Sequence, residues 1–500
     1  MLTPVPALQA PDGSHLDLDA LVDALSSDFA VSTGGKRLVH RTRLDTFDGR
    51  LRAAGLTLQH ETTASTERLV LSGPDVASTI VAHVTDLGWP ALAGALPDSP
   101  VRDAVAPVAD IRALLVVADQ RRRVRRLELR NKDEKTVARL ELDEPTGAST
   151  DAAVVTVHAL RGYEDQARRA TRLLTGLGLR PAEEGGEPDS GPEESTPTIE
   201  RDAPATELIA MELGEFLSAM RENLPGLLDD VDTEFLHDFR VAVRRTRSTL
   251  KLGRPVLPPD MQSRWEPAFK WLGDVTTPVR DLDVYELELP TMSGWLVGAD
   301  AGDLQPFAAH LRRRRAVQRR ALVRGLRSVR YQRLDAGWEQ ALAELAASED
   351  EQPSAGELAD RSISKAYRRV VRDGAAISAS SPAEDLHGLR KRCKELRYAL
   401  EVFAPVIDKD SRKTAIADLK DLQDVLGRFQ DSEVQRHSLR EFAEEMMAAG
   451  TPAQVVLAMG ELVGHLDAEQ DRAREDFEGA FARFVRPSSD RRMRELGGRR

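Results

Sequence analysis

The chain of 500 residues is long enough for two to four domains, and its 41% hydrophobic content can supply sizeable cores. It carries 82 acidic and 70 basic residues, for a net charge of −12, so a basic surface can only be a local feature. This balance argues against a diffuse nucleic-acid coat and for a specific anion site. Aromatic residues make up only 5%, which argues against recognition by base stacking.

The sequence indicates a cytoplasmic protein without membrane contact. Cys393 is the single cysteine, so a disulfide within the chain is excluded and a reducing compartment is expected. Its place in a helical pattern predicts a packed helix-face residue and not a nucleophile. The first six residues lack the basic and apolar regions of a signal peptide, and no apolar run approaches the ~20 residues that span a bilayer.

Residues 1–180 read as a mostly antiparallel α+β domain. Alternating apolar and polar residues predict strands over 36–43, 56–61, 67–71, 111–118, 124–130, 136–142 and 153–160. A hairpin turn is predicted at 131–134. Helical spacing predicts helices over 17–28, 76–87 and 163–174, the last of which should stop before Gly176 and Gly178.

Two short motifs in this domain carry a family resemblance. Residues 44–51 read LDTFDGRL and residues 55–58 read GLTL. Together they resemble the DTxDxxL…GxxL segment of CYTH domains, the triphosphate tunnel family. The resemblance implies an antiparallel β tunnel, lined by Glu, Lys and Arg, that binds triphosphates with a divalent metal.

The positions that carry the chemistry of that family differ here. The nearest match to its ExExK opening, residues 15–20 (HLDLDA), has no lysine, and Gln59, His60 and Glu61 stand where arginines are usual. Residues 68–71 lack the expected lysine, and residues 156–160 lack the metal-binding glutamate pair. We therefore expect a CYTH-like domain with no catalytic residues and no cofactor; divalent metal would enter only with an active tunnel.

Residues 181–206 read as an acidic flexible linker. They are rich in Pro, Gly and Ser and contain eight acidic residues against one cation, Arg201. Such a segment cannot bury enough apolar surface to fold alone. The alternative is an acidic arm that competes for a basic site.

From residue 207 onward the sequence is helical and repeats itself. A shift of 150 positions carries His237 onto His387, Pro255 onto Pro405, and Asp281 onto Asp431, and it extends to Tyr331 and Phe481. We expect one helical domain at 207–487, with halves at about 207–350 and 357–487, and a basic tail at 488–500. Residues 381–384 (SPAE) predict a capping box at the start of the second histidine helix.

Each histidine begins a basic face, because helical offsets of 0, 3, 7 and 10 lie within about 80° of one another. The two faces comprise His237, Arg240, Arg244 and Arg247, and His387, Arg390, Lys394 and Arg397. A third stripe follows offsets 0, 4, 7 and 11 from Arg361 and contains Lys365, Arg368 and Arg372. Like charges so placed destabilise a helix by a few tenths of a kcal/mol (about 0.2–0.5) per pair, a cost that a polyanion would remove.

The paired helices resemble the CHAD family. The resemblance includes the two faces, residues 279–284 (VRDLDV) and residues 422–431 (LQDVLGRFQD). It implies an all-α bundle of two pseudo-symmetric halves with a basic central channel that binds inorganic polyphosphate, often after a CYTH domain. We expect a polyphosphate-binding protein associated with polyphosphate granules; the alternative is a CYTH-type triphosphatase to which the helical domain recruits polyphosphate.

The expected polyphosphate contacts are basic side chains on the paired helices and their neighbours. They are His237, Arg240, Arg244, Arg245, Arg247, Lys251, Arg312, Lys365, Arg368, Arg372, His387, Arg390, Lys391, Lys394 and Arg397. Arginine forks and lysine ammonium groups suit such a polymer, and counterion release should make its affinity depend on salt. For the histidines, metal ligation and phosphohistidine chemistry are the alternatives, and nucleic acid is the competing ligand.

Overall fold

The chain forms two compact units, Met1–Glu194 and Ser195–Arg500. The computed structural model describes residues 3–4, 7–10, 16–73, 79–146, 152–182, 199–347 and 353–498. The first unit is an antiparallel sheet with helices, and the second is helical, as the sequence predicted. Most of the expected linker and the end of the basic tail lie outside the described residues.

The first unit is built on one sheet, whose described strands number eleven. They are β1 (Thr3–Pro4), β2 (Leu8–Gln9), β3 (Ala30–Thr46), β4 (Thr57–Thr62), β5 (Glu67–Ser72), β6 (Ile80–His83), β7 (Ala91–Leu92), β8 (Ala113–Arg130), β9 (Thr136–Pro145), β10 (Val154–Ala159) and β11 (Arg180–Pro181). The main order is β11-β2-β10-β9-β8-β3-β4-β5-β6, with β1 beside β10 and β7 beside β8. Its helices are α1 (Leu18–Ser26), α2 (Arg50–Ala53), α3 (Pro100–Ala109) and α4 (Glu164–Gly176).

Two local predictions for this unit are wrong. The strands expected at 111–118 and 124–130 are one strand, β8, because β3 pairs with it almost end to end and keeps the intervening residues extended. The described part of the expected helix at 76–87 contains β6, which pairs with β5, and its start lies outside the described residues. Edge pairing has overridden local helical spacing.

The DTxD motif caps a helix. The buried Asp45 carboxylate accepts hydrogen bonds from the backbone N–H groups of Thr46, Leu51 and Arg52, at 2.7, 2.9 and 3.1 Å. Gly49 precedes α2 with a φ of +69°, which favours glycine. By contrast, Asp17, in the segment compared with ExExK, caps α1 and lies on no strand. The motif therefore has a structural role here.

The second unit contains ten described α-helices. They are α5 (Ala205–Asp229), α6 (Thr233–Leu252), α7 (Pro259–Ser293), α8 (Gln305–Leu326), α9 (Val329–Ala346), α10 (Ala355–Ala375), α11 (Ala383–Val402), α12 (Lys409–Ala448), α13 (Ala453–Phe484) and α14 (Pro487–Leu496). Helices α5, α6 and α7 begin 150 residues before α10, α11 and α12, as the duplication predicts. Apolar side chains from α7, α8, α12 and α13 form one core shared by both halves.

Backbone contacts reveal a pseudo-twofold axis between the halves. Ala205 N–H donates to Pro353 O (3.0 Å) and Ala355 N–H donates to Ala203 O (2.8 Å), so a shift of 150 exchanges the two bonds. The hydroxyl of Tyr285 also donates to the carbonyl of Gln435, its own counterpart, at 3.2 Å. The halves are thus related by symmetry and not merely by sequence.

The ends of the halves depart from the expected pattern. Helix α13 runs unbroken past Phe481, whereas the equivalent stretch of the first half is divided into α8 and α9, with Tyr331 near the start of α9. Helix α14 occupies most of the expected basic tail and buries Met493 and Leu496. The predicted capping box is wrong, because α11 begins at Ala383 with no side-chain cap and Ser381 instead bonds Ser378.

Candidate functional site

The basic helices α6 and α11 each bury an apolar face, and ion pairs join the two helices where they contact each other. Phe239 and Val243 bury one face of α6, and Leu389 and Leu396 bury one face of α11. Between the helices, Arg245 pairs with Glu401 at 3.3 Å and Lys251 pairs with Glu395 at 2.6 Å. Because the higher number on α6 pairs with the lower number on α11, the two helices run in opposite directions where they meet.

A cavity of about 800 Å³ opens on one side of this contact and is called the seam cavity. It lies among α6, α10, α11 and the start of α7. The cations that line it are Arg244, Arg247, Lys251, Arg254, Arg361, Lys365, Arg369, Lys391 and Lys394, and the only carboxylates in its lining are Glu266 and Glu395. The seam cavity therefore has a strong excess of positive charge.

Most of these cations have no acidic partner. Glu395 is already held by Lys251 at 2.6 Å and Arg392 at 3.0 Å, with Arg369 at 3.8 Å. Within the described part of the chain, six of the lining cations form no ion pair: Arg244, Arg247, Arg254, Lys365, Lys391 and Lys394. Unpaired, partly exposed cations around one cavity are what an anionic ligand needs.

The pKa of Lys394 is lowered by burial and by the surrounding positive charge. Burial, with the nearby positive charges of Arg390 and Arg244, lowers the pKa of Lys394 to about 8, although Asp431 opposes the shift. An anion placed beside the ammonium group would restore its charged form. Lys394, with Arg244 and Tyr398, also lines a second, adjoining cavity of about 280 Å³.

The second cavity holds the expected contacts Arg245, Arg390 and Arg397, but these are partly neutralised. Arg397 donates to Glu401 at 2.8 Å, and the same carboxylate pairs with Arg245. Arg390 lies 3.1 Å from Asp431. A ligand there would compete with Glu401, which does not line the seam cavity.

His237 and Arg240 lie near the start of α6, and Arg240 contacts α7. Arg240 donates to Thr276 (2.8 Å) and Thr277 (2.9 Å). Burial and the charge of Arg280 lower the pKa of His237. From the middle of the contact, near residue 248, to residue 237 is about 16 Å along the helix axis, and the ion pairs between α6 and α11 lie at Arg245 and Lys251.

Each histidine has neighbours that the sequence did not indicate. Glu234, His237 and Asp238 offer ligand atoms within 4.8 Å of one another, although Glu234 also accepts from Arg280 at 3.4 Å. His387 bonds the side chain of Gln430 through Nδ1 and lines a separate cavity of about 460 Å³. The two histidines therefore do not share one surface with the seam cavity.

The remaining expected contacts are exposed and lie outside the lining of these cavities. Arg312 and Arg368 bond carbonyls of their own helices, and Arg372 pairs with Asp373 at 2.7 Å. In turn, periodicity missed Arg254, which follows the end of α6, and Arg369, which is off the line of the α10 stripe. Arg361, the first residue of that stripe, lines the seam cavity although it was not among the expected polyphosphate contacts.

The first unit has charged side chains between strands, but they pair with one another. Arg41 donates to Glu61 (2.9 Å) and Asp143 (2.7 Å), Arg122 donates to Asp143 (2.6 Å), and Arg68 donates to Glu61 (2.8 Å). The Glu61 and Asp143 side chains are 6% and 13% exposed. These three arginines are thus already engaged by carboxylates.

Comparisons with known proteins were made for both units. Two uncharacterized proteins from two strains of Mycobacterium tuberculosis are each 31% identical to this chain over 261 residues. The match covers 50% of this chain and 48% of each relative, so the chain spans about half the length of the curated relatives it matches.

Solved structures resemble each unit. A CHAD domain from the plant Ricinus communis is 27% identical, with a TM-score of 0.48, over 57% of this chain and 93% of that chain. A Hippeastrum protein, described as an adenylyl cyclase homologue with a dominant triphosphatase activity, is 18% identical with a TM-score of 0.27. That match covers 38% of this chain and 93% of the other.

Among the described residues, every helix is too short or too polar to cross a bilayer. The family model for the CHAD domain matches residues 212–440, which include α6, α7, α10, α11 and most of α12. The helical unit of this chain therefore contains a CHAD domain at residues 212–440.

Proposed function

We propose that the helical unit binds inorganic polyphosphate in the seam cavity and thereby brings the protein to polyphosphate granules. The observation that carries this proposal is the set of six lining cations without an ion pair. Their positive charge is concentrated on a protein whose net charge is −12, which favours a defined polyanion site over a general one.

The chemistry of the lining suits a phosphate polymer. Arginine presents paired N–H donors to phosphate oxygens, and lysine acts as a mobile point charge. The seam cavity offers Tyr398 as its only aromatic lining residue, so little is available to stack bases. A ligand with closely spaced charges and no bases therefore fits better than a nucleic acid.

Titration of long-chain polyphosphate tests the proposal. The cavity variant changes Arg244, Arg247, Lys365, Lys391 and Lys394 to alanine. The matched control removes five exposed arginines on α8, on α9 and in the turn between them: Arg313, Arg320, Arg324, Arg327 and Arg333. At about 0.5–1 kcal/mol per contact, we expect the cavity variant to bind about 100-fold or more weakly.

Equal affinities for the cavity variant and the control would overturn the proposal. Single-stranded RNA is added as a competitor at physiological salt. We expect it to leave bound polyphosphate in place, and full displacement would favour a nucleic-acid function.

The alternative function is a triphosphatase in the first unit, fed by polyphosphate held on the helical unit. The DTxD motif favours it, but Asp45 caps α2 and the Arg41 network is self-paired. We expect no phosphate release from triphosphate with Mg²⁺ or Mn²⁺. Turnover above background, abolished by changing Glu61 and Arg68, would establish the alternative.

A further inference from the structure

The pseudo-twofold axis relates two helices of opposite charge. Helix α10 flanks α11, and its counterpart α5 flanks α6. A shift of 150 places Lys365 of α10 on Glu215 of α5, and Ser362 on Glu212. Two positions of the basic stripe, Lys365 and Arg372, are therefore acidic in the other half, where Glu215 and Glu222 stand.

The basic helix opens onto the seam cavity. Arg361, Lys365 and Arg369 of α10 all line it. The exposed Arg368 and Arg372 of the α10 stripe continue along the helix, although Arg372 also pairs with Asp373 at 2.7 Å. From residue 361 to residue 372 the helix rises about 16 Å. A linear anion lying across α11 can thus continue along α10 over cations.

Helix α5 places carboxylates near the end of the α6–α11 contact at which Arg245 pairs with Glu401. Burial and the charge of Glu215 raise the pKa of Glu212 to about 8, and Glu401 acts in the same direction against Arg245. Glu212, Glu215 and Glu401 therefore lie in one electrostatic environment. Glu401 also pairs with Arg245 and Arg397, so these two cations near α5 are not free for an anionic ligand.

We infer that the polyphosphate site is one-sided: the bound polymer leaves the seam cavity along α10 and is repelled from α5 by Glu215 and Glu401. This inference rests on the proposed function. It assigns α5 a role in setting the direction of a linear ligand, although the fold itself is pseudo-symmetric. Symmetry of the backbone would otherwise allow two equivalent exits.

Charge reversals on the two helices test the inference in the full chain. Lys365→Glu gives α10 the residue found at the equivalent position of α5, and Glu215→Lys makes the reverse change on α5. Both positions are exposed, and Glu478→Lys on exposed α13 surface adds the same charge elsewhere. Binding of long-chain polyphosphate is measured over a range of salt concentrations.

We expect Glu215→Lys to tighten binding about threefold or more and to steepen the salt dependence by about one released counterion. Lys365→Glu should weaken binding and make that dependence shallower, and Glu478→Lys should change neither. If the wild type binds but Glu215→Lys matches Glu478→Lys, the one-sided site is wrong and the proposed function stands. If the wild type does not bind polyphosphate, the proposed function is wrong, and the one-sided site that rests on it is wrong as well.

Discussion

Arg245 of α6 and Glu401 of α11 form an ion pair at 3.3 Å, and the pseudo-twofold axis converts it into the pair of Glu395 and Lys251 at 2.6 Å. The shift of 150 places Arg245 on Glu395 and Lys251 on Glu401. In a sequence alignment these positions are mismatched in charge. In the structure, a cation of one half pairs with a carboxylate of the other half in both cases, so both ends of the contact between α6 and α11 are attractive.

Removing Glu401 should lower stability and raise affinity for polyphosphate. Its carboxylate holds Arg245 and Arg397, whose side chains are each 41% exposed, so Glu401→Gln should cost only about 1 kcal/mol of unfolding free energy in total. The two freed arginines can then contact phosphate. Urea unfolding and polyphosphate titration measure the two effects.

Glu469→Gln provides the control for this variant. Glu469 pairs with Arg428 (2.9 Å) and Arg472 (2.7 Å) outside the seam cavity. We expect a similar loss of stability without tighter binding. Unchanged or weaker binding by folded Glu401→Gln would contradict the idea that this carboxylate restrains the site.

Polyphosphate affinity should fall as pH rises above 8. The pKa of Lys394 is lowered to about 8 by burial and by Arg390 and Arg244, so the free protein holds this proton only below that pH. A bound polyanion raises that pKa, so above pH 8 binding must take up a proton. One proton allows a decrease of at most about tenfold per pH unit.

Isothermal titrations in buffers of different ionisation enthalpy measure this proton uptake. Glu212, with a pKa raised to about 8 by burial and Glu215, ionises over the same range and also disfavours an anion. Lys394→Arg should reduce the pH dependence, and adding Glu212→Gln should remove the rest. Flat wild-type affinity from pH 7 to 9 would show that neither group responds to the ligand.

Local periodicity predicted the helices and much of the seam cavity, because facing directions repeat regularly along a helix. Arg244, Arg247 and Lys394 were found in this way, and the duplication predicted the relation between α6 and α11. Periodicity cannot say where two helices cross. His237 is therefore predicted to share a face with Arg244, yet in the structure it does not line the seam cavity, and Arg240 of the same face bonds α7.

Carboxylate partners were the second feature that sequence could not supply. Glu401 and Glu395 lie on α11 itself, but which cations they neutralise depends on the distance to α6. In the first unit, strand pairing likewise determines that Glu61 meets Arg41 and Arg68. The motif around Asp45 indicated the resemblance to CYTH domains, but it did not indicate that the Asp45 carboxylate caps α2.

The thiol of Cys393 should be almost unreactive in the native protein. It is fully buried on α11, and burial raises its pKa to about 12, so little thiolate is present at neutral pH. We expect a disulfide reagent to modify it at least 100-fold more slowly than in guanidinium chloride. Because it neighbours Lys394, bound polyphosphate should slow the reaction further; rapid modification of the native protein would contradict the packing of α11.

The Arg41 network should stabilise the first unit most strongly above acidic pH. Burial alone would raise the pKa of Glu61, but Arg41 and Arg68 hold it below its usual value. A lowered carboxyl pKa contributes stability above the unfolded value of about 4.3, and that stability is lost as pH falls through the folded pKa. Protection of β3 and β4 from hydrogen exchange should therefore decrease in acid.

Arg41→Met tests the same network at neutral pH. It leaves Glu61 and Asp143, both largely buried, with one arginine each, so we expect a loss of about 3 kcal/mol in the first unit. Arg37→Met on the same strand is the control, since the Arg37 side chain is 37% exposed and lies 3.4 Å from Glu141. Hydrogen exchange resolved by peptide separates the units; equal protection in both variants would mean that the charges between the strands do not hold this sheet together.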